Sequence, residues 1–124
     1  MTHKPLVLVI EDEPSVADAL NIVLSDNGYD VTVAQTACEG LDHFREQPFD
    51  VTITDLRLPD LSGFEVITRI LEQKPQSLII VITAHFTPEV LVESIRRGAV
   101  HVLAKPFIST DILTLLETAL SVTR

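Results

Sequence analysis

Five side chains offer the chemistry in this sequence: Glu11, Asp12, Asp55, Thr83 and Lys105. Each stands at the end of an apolar run. Glu11-Asp12-Glu13 follows Leu6-Val7-Leu8-Val9-Ile10, and Asp55 follows Val51-Thr52-Ile53-Thr54. Thr83 closes Leu78-Ile79-Ile80-Val81-Ile82, and Lys105-Pro106 follows the run from Val100 to Ala104. If these runs are neighbouring strands of one sheet, the polar groups collect along one edge. Carboxylates crowded in this way raise one another's pKa values or need a cation. An oxygen-rich, thiol-free ligand set suits Mg2+, which keeps several waters and takes few protein oxygens. A hard dication, a lysine ammonium and a hydroxyl around a carboxylate make a site for a phosphoryl group. The positive charges offset its equatorial oxygens, and Thr83 can donate to one of them. A carboxylate can also be the nucleophile, giving an acyl phosphate.

Each residue alone has a plainer reading. An Asp at a strand end caps a helix or forms a turn, and Glu11-Asp12-Glu13 complements a helix dipole. Thr83 alone is a strand-end hydroxyl bonded to backbone, and Lys105 alone a solvated side chain. The plain readings do not account for complementary charge at four strand ends.

The elements that must position these groups are legible in the hydropathy pattern. Leu6–Ile10 and Leu78–Ile82 are apolar throughout, as expected of strands buried on both faces, whereas Val31-Thr32-Val33 alternates like an outer strand. Val16, Ala19, Leu20, Val23 and Leu24 repeat at helical spacing between Pro14 and Gly28. Thr36 to Glu39 and Ser62 to Glu65 have capping-box spacing, with Leu41 and Phe44, then Ile67, Ile70 and Leu71, on the core side. Thr87-Pro88 opens a helix marked by Leu91 and Ile95 and stopped by Gly98; Ile112, Leu115, Leu116, Ala119 and Leu120 mark the last. The order is (βα) repeated about five times, which requires parallel strands, right-handed crossovers and helices on both faces. Ligands of such sheets bind beyond the carboxyl ends of the strands.

Composition narrows the function classes. The chain has 124 residues, 46% apolar and 22% charged, fitting one globular domain. Nine basic against eighteen acidic residues give −9, which argues against direct nucleic-acid binding. No apolar stretch of about 18 residues is present to span a membrane, and the N-terminus is a poor signal peptide. The single cysteine, Cys38, makes no internal disulfide; it reads as a small core residue. The cytoplasm is the expected compartment. No Gly-rich phosphate loop and no Gly-x-Ser-x-Gly elbow occur. Arg57 also stands where an aspartyl-phosphate phosphatase would carry its second Asp.

Val9-Ile10-Glu11-Asp12-Glu13, Asp55-Leu56-Arg57-Leu58-Pro59-Asp60-Leu61-Ser62-Gly63, Ile82-Thr83-Ala84, and Gly98-Ala99 leading to Lys105-Pro106-Phe107 together resemble the CheY-like receiver domain of two-component response regulators. The resemblance implies an α/β, doubly wound (βα)5 fold with a parallel sheet in order 2-1-3-4-5 and helices on both faces. It implies a single receiver domain over residues 1–124 (core about 5–121), standing alone or as the N-terminal part of a longer regulator. Asp55 would be the phosphoacceptor. Mg2+ would be bound by Asp12, Asp55 and the backbone carbonyl of Arg57, with Glu11 acting mostly through water. Lys105 would contact the phosphoryl group, Thr83 would swing toward it, and the small Ala84 would leave room for its entry. The Lys105-Pro106 bond is commonly cis in the family. Arg57 and His85 occupy positions that flank the phosphoryl group; their plain reading is solvated loop side chains.

One departure stands out. Val102 replaces the aromatic residue usual three positions before the lysine, so an aromatic rotamer switch cannot operate there. His101 points to the opposite face of a regular strand and is expected at the surface. The partners implied are a sensor histidine kinase or phosphotransfer protein and an effector in cis or in trans, with homodimerisation through the face formed by the fourth helix, fifth strand and fifth helix. As a regulatory phosphoacceptor, the domain would promote only its own phosphorylation and dephosphorylation. The rival readings are a receiver-like protein-binding module that is never phosphorylated, and a hydrolase for a small phosphoester.

Overall fold

The structure, a computed structural model, describes residues 4–122. Five strands alternate with five helices: β1 Leu6–Ile10, α1 Pro14–Asp26, β2 Asp30–Ala34, α2 Ala37–Glu46, β3 Val51–Asp55, α3 Gly63–Gln73, β4 Leu78–Thr83, α4 Pro88–Arg97, β5 His101–Ala104 and α5 Ser109–Val122. All neighbouring strands are parallel, in the order β2-β1-β3-β4-β5. The winding reverses between β1 and β3, so their carboxyl ends flank the crevice where such sheets bind ligands.

Side chains of a strand alternate between faces, and this splits the apolar runs into two cores. Val7, Val9, Ile53, Ile80 and Ile82 pack with Leu20 and Leu24 of α1 and Ile112 and Leu116 of α5. Leu8, Ile10, Ile79 and Val81 pack on the other side with Leu41 and Phe44 of α2 and Val66, Ile67 and Ile70 of α3. A strand covered on both faces has no polar side, which is why β1 and β4 read as unbroken apolar runs.

Several local expectations need correction. Cys38 is exposed; Ala37 is the core residue at the start of α2. In α1 the buried small residue is Ala17, while Ala19 faces outward. β5 begins at His101, leaving Val100 outside the strand. Ser62 caps α3 by accepting from the Phe64 amide, and Glu65 pairs with Arg69 instead of closing a capping box. Thr36 does accept from the Glu39 amide, while Glu39 takes the Gln35 amide. Most consequentially, Leu91 and Ile95 are exposed along with Val92, and the buried residue of α4 is Ser94. Gly98 closes α4 at φ +119°, a left-handed conformation that a side chain would strain.

Candidate functional site

β1 and β3 end side by side, and the chain leaves each with an acidic group. Glu11 is fully buried directly after β1; Asp55, the last residue of β3, is 6% exposed; Asp12 is exposed at the rim. One carboxylate oxygen from each of the three lies within 4.8 Å of the others. Lys105, delivered just past β5, reaches into this group. Its Nζ lies 2.6 Å from Glu11 Oε1, 2.8 Å from Asp55 Oδ2 and 3.6 Å from Glu13 Oε1. Asp55 Oδ1 accepts from the Arg57 amide at 3.2 Å. Glu11 Oε2 accepts from the Glu13 amide at 3.0 Å, so both Glu11 oxygens face a partner.

The electrostatics follow from this crowding. Burial pushes the Glu11 carboxyl above the usual carboxylate range; Lys105 and the Glu13 amide pull the other way, and the neighbouring Asp55 adds to the rise. Burial works against the Lys105 ammonium, but Asp55 and Glu11 hold its pKa above that of an ordinary lysine. One ammonium faces three clustered carboxylates. Oxygen donors with one exposed member are what a small, hard, partly hydrated dication takes, so the donor set fits Mg2+.

The remaining expected residues surround this centre. Thr83 is buried at the end of β4, and its Oγ1 accepts from the His85 amide at 3.0 Å. Ala84, His85 and the Arg57 side chain are exposed in the loops. The Lys105–Pro106 peptide is cis. Val102 pairs with Val81 and is partly buried against the α2–α3 core, while His101 is half-buried and not fully at the surface. Ala84, Lys105, Pro106 and Phe107 also line a largely apolar groove of about 460 Å3 between α1 and α5.

The β3–α3 loop is held close to the site by a glycine. Gly63 donates to the Leu56 carbonyl at 2.9 Å, and Arg57 bridges Ser62 across the loop. A Cβ at position 63 would overlap the Asp55 carbonyl oxygen and come within 2.7 Å of the Leu56 Cα. Two contributors were not among the expected site residues: Glu13, the third anion near Lys105, and Asp60, whose carboxylate accepts from the Ala37 and Cys38 amides. Glu13 stands two residues from Glu11 in one acidic run, a signal that was present. Asp60 has no local signal, because its partners lie 23 and 22 residues away.

A family model described as the response regulator receiver domain matches residues 7–117. The chain belongs to the receiver domain family of response regulators. Across this receiver, 120 residues are 32% identical to the transcriptional regulatory protein FixJ of Bradyrhizobium diazoefficiens, covering 97% of this chain and 58% of that protein. The chain spans 58% of the length of FixJ and 24% of that of the transcriptional regulatory protein GlrR of Escherichia coli, another curated relative it matches. Its fold is similar to a CheY-like receiver domain protein from Methanospirillum hungatei JF-1, with TM-score 0.91 and 28% identity over 95% of this chain and 94% of that one. It is also similar to the beryllofluoride-activated NtrC4 receiver domain dimer, with TM-score 0.88 and 35% identity over 92% and 94% of the two chains. Phosphorylation and Mg2+ binding are general features of receivers, and the carboxylates of Glu11, Asp12 and Asp55 lie close enough together to hold a metal ion.

Proposed function

We propose that this receiver is a phosphorylation-controlled signalling switch in which Asp55 takes a phosphoryl group from the phosphohistidine of a sensor histidine kinase or phosphotransfer protein. The observation that carries this reading is the Asp55 carboxylate beside the Lys105 ammonium, with Glu11 and Asp12 in the same crevice. An Asp55 oxygen forms the new P–O bond, the P–N bond breaks, and the donor imidazole leaves with the electron pair. Lys105, already 2.8 Å from Asp55, meets the incoming phosphoryl oxygens with positive charge. Glu11, Asp12, Asp55 and the Arg57 carbonyl would hold Mg2+, which supplies further charge neutralisation at the phosphoryl group. Thr83 uses its oxygen as acceptor for the His85 amide, which leaves its hydroxyl proton for a phosphoryl oxygen.

The response runs from Thr83 through Ala84, His85 and Phe86 to α4. With Val102 in the usual aromatic position, no ring rotation takes part. Leu91, Val92 and Ile95 on α4 and Val100 before β5 are exposed, and they offer a surface for an effector domain in cis, a partner in trans, or a second copy. The last use is consistent with the dimer described for the NtrC4 receiver. The domain promotes only its own phosphorylation and dephosphorylation and works in the cytoplasm. No helix among the described residues is long and apolar enough to cross a membrane, and the charge of −9 disfavours direct nucleic-acid contact.

Incubation with Mg2+ and a small phosphodonor, followed by intact-mass measurement, tests this reading. A gain of one phosphoryl group that depends on Mg2+ is expected. No gain in folded, Mg2+-bound protein would replace the switch by a non-phosphorylated binding module.

A further inference from the structure

We propose that Asp60 is a positioning residue for the phosphoacceptor loop: its carboxylate ties the turn that carries Arg57 to the N-terminus of α2. Each oxygen takes one amide, Oδ1 from Ala37 at 2.9 Å and Oδ2 from Cys38 at 2.8 Å. These are the first two amides of α2, donors with no partner inside the helix. The third, Glu39, is taken by Thr36. An anion at a helix N-terminus is also favoured by the helix dipole, and its bonds to amides are charge-assisted.

The tie matters because of what lies at each end. On one side, the loop is closed on itself by the bond from Gly63 to Leu56 and the Arg57–Ser62 bridge, and the Arg57 amide donates to Asp55. On the other, α2 is pressed against β1, where Gly40 permits close contact with Ile10. Asp60 therefore joins a stiff loop to a helix already fixed on the strand that delivers Glu11 and Asp12. The connection runs from β1 through α2 to Asp60, then along the loop backbone to Arg57, whose amide donates to Asp55. It sets where the Arg57 carbonyl sits relative to the carboxylates. This last point rests on the metal role proposed for that carbonyl; the anchoring itself does not.

The test compares Asp60→Ala with Thr36→Ala, which removes a cap from the same helix but does not touch the loop. Two readouts are taken: amide hydrogen exchange without metal, and a MgCl2 titration. Asp60→Ala is expected to speed exchange at the Arg57 and Gly63 amides and to raise the Mg2+ dissociation constant about tenfold, as for an outer-shell support of a metal ligand. Thr36→Ala is expected to speed exchange at Glu39 and leave both other readouts unchanged. Asp60→Asn, which keeps one acceptor oxygen, should repeat the Asp60→Ala pattern at smaller amplitude if the alanine variant fails to fold. Unchanged exchange at Arg57 and Gly63 in the Asp60 variants, or an equal loss of Mg2+ affinity in Thr36→Ala, overturns the positioning role. Absence of Mg2+ binding in the unmodified chain would strike the proposed function instead, and the exchange comparison would still decide the anchor.

Discussion

The Lys105 ammonium lies 2.6 Å from Oε1 of Glu11, a carboxylate with no solvent exposure. The same nitrogen serves Asp55, so one cation supports two buried anions. Removing one partner of a buried ion pair strands the other. Lys105→Met is therefore expected to lower stability at neutral pH by about 3 kcal/mol without divalent ions, with part of the loss recovered in MgCl2. The loss should shrink as pH falls through the raised Glu11 pKa, because a neutral carboxyl needs no cation. In the unmodified chain, the raised Lys105 pKa makes its contribution full below about pH 10.4 and lost as pH rises through the folded value. Urea unfolding with and without MgCl2 measures these effects; equal stability of variant and parent would contradict them.

Gly63→Ala should be costly for a different reason. The new methyl meets main-chain atoms, the Asp55 carbonyl oxygen and the Leu56 Cα, and main chain cannot rotate out of the way as a side chain can. Overpacking of this kind costs roughly 1–3 kcal/mol, sometimes more. The variant is also expected to phosphorylate more slowly, since α3 can no longer close on the end of β3. A denaturation midpoint and a phosphorylation rate equal to those of the parent would show that the close approach is dispensable.

Asp60 gives a pH signature. Burial works against its charge, yet the Cys38 and Ala37 amides and the Cys38 thiol outweigh this and hold its pKa down at about 2, against an ordinary value of 3.8. A carboxylate with a depressed folded pKa contributes stability that is present above the unfolded value and lost as pH falls through the folded one. The stability difference between the parent and Asp60→Asn is thus expected to be constant near neutrality and to narrow from about pH 4 to pH 2. Thermal melts across that range report it, and a difference independent of pH would contradict it.

α4 is held by few apolar contacts: Ser94 is its buried residue, and Arg97 bonds Glu93 at 2.6 Å while its guanidinium lies 5.1 Å from the Phe64 ring centroid. The proposed coupling from Thr83 to this helix through residues 84–86 would make the aromatic position secondary. Val102→Tyr is expected to change phosphorylation-dependent shifts of α4 amide resonances by less than about tenfold in population, or roughly 1.4 kcal/mol of coupling. Complete loss or locking of the α4 response would place the coupling at position 102.

The parts of the fold legible in the sequence were those fixed by local pattern. Leu6–Ile10 and Leu78–Ile82 are apolar at every position because both faces of their strands are covered. Glu11, Asp55, Thr83 and Lys105 could be grouped because a parallel sheet brings all strand ends to one edge. What escaped depended on tertiary context. Ala37 and Cys38 are adjacent, similar in size and equally able to enter a core; only the rotation of α2 against Ile10 decides that Ala37 is inside. Leu91 and Ile95 have core spacing, yet face outward on a helix whose buried side is occupied by Ser94. Asp60 looked like one more loop acid, since the amides it holds are remote in sequence.

The most direct test of the switch is the chemical identity of the labelled atom. Isotopically labelled phosphoryl groups are offered in Mg2+ to the parent chain and to Asp55→Asn, whose fold is checked in parallel. Label is expected on the parent alone, in a linkage that hydroxylamine cleaves as it does an acyl phosphate. Label of equal amount on folded Asp55→Asn would contradict the assignment of Asp55 as acceptor.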